Sequence, residues 1–144
     1  VIRAVLAVAL TVALLAAVTP AIDEGRERRT AIHLDDVADR IDRAARSLRA
    51  HEDPTPPNVA GARRIVRFRL PERSWTTVGA TLWIDGEHDA VGYRLDGHRT
   101  RRLRLRGVDV RTPDGRVVFD RADRYRLVLS LVESGGVGVV VTRG

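Results

Sequence analysis

Hydrophobic positions along this chain follow three successive regimes. The first is an unbroken run: from Ala4 to Ile22 no side chain is charged, and only Thr11 and Thr19 are polar. Nineteen such residues, rising about 1.5 Å each in a helix, span roughly 28 Å, close to the hydrocarbon thickness of a bilayer. The second regime follows a charged break from Asp23 to Arg29. Leu34, Val37, Ile41, Ala44 and Leu48 recur at spacings of three and four, which places them on one helical face. Asp35, Asp39, Asp42, Arg43, Arg46 and Arg49 fall on the other face. Thr30 is the expected N-cap of this helix, and Asp53-Pro54-Thr55-Pro56-Pro57 is its expected stop, since prolines cannot continue a helix.

From Ala62 onward the period is two. Val66, Phe68 and Leu70 alternate with Arg67 and Arg69; Val78, Ala80, Leu82 and Ile84 alternate with Thr77, Thr81 and Trp83. Asp85-Gly86 leads to Val91, Tyr93 and Leu95, and Asp96-Gly97 to an arginine-rich strand over 99–106. Pro113-Asp114-Gly115 separates 108–111 from 117–119, and Ser134-Gly135-Gly136 separates Tyr125, Leu127, Leu129 and Leu131 from a last strand over 137–142. Short alternating runs joined by Asp-Gly turns read as hairpins. The expected fold is therefore α+β: an N-terminal transmembrane helix continuing into an amphipathic helix, then an antiparallel β-sandwich or partly open barrel of seven or eight short strands. The expected units are an anchor at 1–22, a helical segment at 23–53, a proline-rich linker at 54–61 and a β domain at 62–144.

A run this close to the N-terminus has two fates. Arg3, the apolar stretch and Thr19-Pro20-Ala21 would serve a signal peptide cut after Ala21, releasing a soluble β module. The length, and the helical pattern that follows, favour a retained anchor.

Composition adds a sign to the β part. All 25 basic residues among the 144 are arginine, against 19 acids, for a net charge of +6. Five arginines and no acid lie in 99–106, and five arginines with Glu72 alone lie in 61–73. If Phe68, Leu103, Leu105, Leu127 and Leu129 face the core, then Arg67, Arg69, Arg102, Arg104, Arg106, Arg124 and Arg126 face outward as a candidate interaction face. Its bland role is a solvated face that discourages edge pairing; its functional role is docking on an anionic partner such as anionic lipid. Nucleic acid is disfavoured, because the six aromatics form no stacking ladder along the basic run.

Chemistry of other kinds finds little support. The chain has no cysteine, and His33, His51, His88 and His98 lack the spacing of zinc ligands. Asp85-Gly86-Glu87-His88-Asp89 resembles the start of a calcium loop, but Ala90 replaces the turn glycine and Asp96 the closing glutamate, so it reads as a turn. Ser74 has no flanking nucleophile motif. The expectation is a non-catalytic protein with no cofactor and no metal. Trp75 and Trp83 are expected as sheet packing.

An apolar helix running into an amphipathic helix and then a β domain resembles the layout of type IV pilin-like proteins. The strings RLPERSWTTVG (69–79) and DRYRLVLSLV (123–132) are similar to those of small, uncharacterised haloarchaeal membrane proteins whose genes neighbour type IV pilus-type assembly machinery. The resemblance implies an anchored accessory subunit that contacts other pilin-like subunits or envelope and assembly proteins. The stripe Leu34, Val37, Ile41, Ala44 and Leu48 would then face the β domain or a partner helix. Pilin precursors carry a charged leader, and many mature pilins have glutamate at position five; here Val1-Ile2-Arg3 and Val5 stand instead. Val1 is then either a non-standard start read literally or the start of a chain without a leader, and an accessory subunit fits better than a polymerising one. One arginine precedes the apolar run and Arg26, Arg28 and Arg29 follow it, a count that alone would hold the β domain in the cytoplasm. The resemblance to exported proteins places it outside the cell membrane instead.

Overall fold

The computed structural model describes residues 1–144. One helix, α1, runs without interruption from Ile2 to His51. Fifty residues at about 1.5 Å each give roughly 75 Å, too long for either a bilayer or a small domain alone. It passes through Pro20 and through the charged stretch 23–29. Glu and Arg are good helix formers, the Asp23–Arg26 pair at 3.1 Å supports the turn, and Gly25 costs only about 1 kcal/mol. The charged break is thus a change of surface and not of conformation. Thr30 is correspondingly no N-cap. Its hydroxyl donates to the Arg26 carbonyl at 3.2 Å, four residues back within the helix. The helix does end where the prolines demand, with Glu52 already extended at φ −125°, ψ 152°.

Eight strands follow: β1 Arg63–Arg69, β2 Ala80–Asp85, β3 Ala90–Leu95, β4 Thr100–Arg104, β5 Val110–Arg111, β6 Val117–Phe119, β7 Arg124–Glu133 and β8 Val137–Arg143. They form two four-stranded sheets, ordered β1-β7-β8-β5 and β4-β3-β2-β6. All pairs are antiparallel except the short β5–β8 pair, which is parallel and is the one departure from the expected antiparallel sandwich. Thr55 in the linker adds a single bridge beside Val132 of β7, so the segment after the helix is tied to the sheet.

The core is one cluster drawn from both sheets and from the outer half of α1. Leu34, Val37, Ile41 and Leu48 are fully buried beside Phe119, Leu82, Leu127 and Val139. Phe68 and Tyr125 of the first sheet meet Phe119 of the second at centroid distances of 5.1 and 4.7 Å, an aromatic stitch between the layers. The helix lies along the free edge of β1. His33 Nε2 donates to the Arg69 carbonyl at 2.8 Å and Arg40 donates to the Arg67 carbonyl at 3.0 Å. Those carbonyls would otherwise be an open strand edge, and α1 covers it.

Candidate functional site

The half of α1 before the head is bare: every residue from Val1 to Gly25 is exposed. It contains the one window in the protein long and apolar enough to cross a membrane, a property that a signal sequence shares. The two polar side chains of the run from Ala4 to Ile22 are satisfied within the helix. Thr11 donates to the Ala7 carbonyl at 2.8 Å and Thr19 to the Leu15 carbonyl at 2.9 Å. Such pairing suits an apolar surrounding, where an unbonded hydroxyl is costly.

The apolar stripe of the second half meets the β domain. Leu34, Val37, Ile41 and Leu48 are buried as expected; Ala44 is only partly buried and Ala45, with Ala31 and Ala38, fills the contact instead. Small residues let the helix lie close over the sheets. Two polar groups lock the fit. Thr30, 1% exposed, accepts the Val78 N–H at 3.1 Å. The Tyr93 hydroxyl donates to Asp35 Oδ1 at 2.6 Å, and Arg101 reaches Asp35 Oδ2 at 3.3 Å. Burial, then the hydrogen bond and charge of Asp35, push the Tyr93 phenol up to about 12, with Arg101 opposing. Nothing in the sequence links these three positions, since they lie on the helix, β3 and β4.

The seven candidate arginines do not share one face. Arg67 is paired in register with Arg126, and Arg69 with Arg124, so four of them form a quartet on the outer side of the β1–β7 pair. Arg102 and Arg104 lie on β4, on the outer side of the other sheet, and Arg106 follows in the turn beyond it. The two outer sides point away from each other because the inner sides share one core. All seven side chains are exposed, and none is in an ion pair. Like charges set directly opposite across strands are mildly destabilising. Arg104 and Arg106 line a recess with Arg49, near the end of α1 remote from the apolar half. Leu103, expected in the core, is 37% exposed: β4 is an edge strand, with no further strand to cover it. Leu105, just past the strand, is buried as expected.

The acidic turn after β2 is built around Asp85, 3% exposed. Burial alone would raise its pKa. Hydrogen bonds from His88 (3.1 Å) and Arg116 (2.6 Å), with their charges, outweigh that and hold the carboxyl below its ordinary value. Its other oxygen accepts the Glu87 N–H at 3.2 Å, which makes the turn. Asp85, Glu87 and His88 bring ligand atoms within 4.8 Å of one another, but the guanidinium of Arg116 already sits on the buried carboxylate. The remaining histidines are dispersed: His51 bonds the Ser47 carbonyl within the helix, and His98 meets Glu27 at 3.3 Å.

The two tryptophans have opposite environments. Trp83 lies half-buried across Gly92, and Arg116 stands 6.0 Å over its ring. Trp75, expected to pack on a sheet, is 90% exposed on the β1–β2 connection. Its neighbours Arg73 and Ser74 gave no sequence signal for this, because the position depends on where the connection meets α1.

No curated protein and no solved structure matches the chain. A family model covers it from end to end, and over residues 1–144 the chain belongs to the family described as a domain of unknown function, DUF7311.

Proposed function

We propose that this chain is a single-pass membrane protein working as a non-catalytic, pilin-like accessory subunit of a type IV pilus-type surface assembly. The observation that carries this reading is the undivided helix, whose exposed apolar half runs directly into a half forming the core of the head. A rigid junction of this kind transmits force and orientation between a membrane and a head, which a flexible tether would not. The head is placed outside the cell, and its partners are other pilin-like subunits or envelope and assembly proteins. The arginine quartet Arg67, Arg69, Arg124 and Arg126, without acidic partners, suits an acidic protein surface. A structural role also fits Ser74, whose hydroxyl is engaged by Thr77 at 2.7 Å.

Two measurements test the proposal. The native protein should resist carbonate and high salt and require detergent for extraction. A photo-cross-linker at Leu14 should capture pilin-like or assembly-platform proteins. Extraction without detergent removes the anchor, and cross-links confined to lipid remove the subunit role.

A second reading is an exported β module released after Ala21. It is supported by the exposure of the first 25 residues, whose loss would leave the head core intact. A mature N-terminus at Ile22 would decide for it.

A further inference from the structure

Outside the apolar half of α1, Trp75 is the most exposed large hydrophobic side chain, at 90% against 61% for Ile32 and 55% for Val59. The connection that carries it, 70–79, has a defined shape. The Ser74 N–H donates to the Thr77 carbonyl at 3.0 Å, Thr77 Oγ1 donates to the Glu72 carbonyl at 2.5 Å, and the Val78 N–H is fixed to Thr30 on the helix. Trp75 and Thr76 are thereby set beside α1, sharing a recess with Ile22, Gly25, Arg26 and Arg29.

That recess lies at one particular height. Ile22 ends the apolar run, and Gly25 is three residues on, about 4.5 Å of rise. The interfacial layer beyond the hydrocarbon core is about 5–8 Å thick on each side. Tryptophan, with an apolar body and a polar N–H, is enriched at that depth. The two segments that carry the recess, 22–29 and 72–76, are balanced in charge: Arg26, Arg28, Arg29 and Arg73 stand against Asp23, Glu24, Glu27 and Glu72.

We propose that Trp75 seats the base of the head in the interfacial layer of the membrane that α1 crosses, as a second contact with phospholipid. The proposal rests on the anchor reading. With charge balanced, the indole ring and not anionic lipid provides the seat. The distal arginines, Arg104 and Arg106, are remote from it: Arg49 beside them lies 27 residues past Ile22, about 40 Å of helix.

The full-length chain in phosphatidylcholine vesicles tests this. In a Trp83→Phe protein, Trp75 is the sole tryptophan, and lipid brominated near the glycerol end of its chains should remove most of its emission. A Trp75→Phe protein reports Trp83, which packs on Gly92 on the outer side of its sheet; Tyr93, next to Gly92, meets Asp35 13 helical residues, about 20 Å, beyond Ile22, so Trp83 emission should persist. Because the chain has no cysteine, a polarity-sensitive dye on Thr76→Cys gives an independent reading with both tryptophans present, and its emission should shift to the blue. Flotation of the same samples reports on the anchor. Protein that floats with unquenched Trp75 and an unshifted dye overturns the interfacial seat and leaves the anchor standing. Protein that does not float overturns both.

Discussion

Ile41 and Ile32 lie on one helix, nine residues apart, with opposite surroundings: Ile41 is fully buried and Ile32 is 61% exposed. Changing each to alanine separates the contact between helix and head from every property of the helix itself. Both substitutions raise intrinsic helix propensity by the same amount, a few tenths of a kcal/mol, so that contribution cancels in the comparison. Ile41→Ala removes three buried carbons, about 2.4 kcal/mol at about 0.8 kcal/mol each. The cavity left among both sheets adds about 1–2 kcal/mol, at roughly 24 cal/mol per Å³. The expected loss is about 3–4 kcal/mol, a large part of the roughly 5–15 kcal/mol that holds a domain folded. Ile32→Ala should stay within about 0.5 kcal/mol. Urea unfolding of the full chain in detergent micelles, followed by near-UV circular dichroism, measures both. With an m-value of about 1–3 kcal/mol/M, the Ile41→Ala midpoint should fall by roughly 1–4 M. If the two variants unfold within about 1 kcal/mol of each other, the stripe does not pack on the head, and the helix half would have to serve a partner helix instead.

Thr30→Val, nearly isosteric, strands the Val78 N–H and should cost about 1–3 kcal/mol, whereas Thr30→Ser keeps the acceptor and should cost less; equal melting temperatures for the two would remove the argument. An alanine at Gly92 would place its Cβ 2.5 Å from Trp83 Cε2, so Gly92→Ala should lower stability by about 1–3 kcal/mol and alter Trp83 emission in a Trp75→Phe background; unchanged emission would show that the ring has room. The Tyr93 phenol, raised to about 12, keeps its proton in the folded chain while the unfolded chain loses it near pH 10. Its contribution is therefore complete below about pH 10 and is lost as pH rises toward 12, a slope that Tyr93→Phe should flatten in pH-dependent denaturation. Asp85 works in the other direction. Its depressed pKa gives stability that is present above about pH 3.9 and lost as pH falls through the folded value, and Asp85→Asn should flatten that acid limb.

Much of the fold is legible in periodicity. The alternation of Val66, Phe68 and Leu70, and of Leu127, Leu129 and Leu131, names inward positions that are all buried, because a half-buried strand must place every second residue on the core. The 3–4 spacing of Leu34, Val37, Ile41 and Leu48 does the same for the helix. Local rules misled where chain-distant partners decide. Thr30 has the side chain of an N-cap, yet the helix upstream satisfies its backbone and its hydroxyl turns to Val78. Leu103 alternates correctly, but an edge strand has no neighbour to complete its cover.

The sequence by itself determined the elements: an apolar span of membrane length, a helix with one apolar face, and short strands separated by Asp-Gly turns. These follow from side-chain hydrophobicity and local backbone preference, which act within a few residues. Only the tertiary structure decided what the elements share. It split the arginines between two outer sides, because sheet membership depends on pairing between distant strands. It joined Asp35, Tyr93 and Arg101 into one network, and it carried Trp75 to the end of the apolar run. The physical reason is the same in each case: the position of a side chain in space is set by packing across the whole core, which no local pattern encodes.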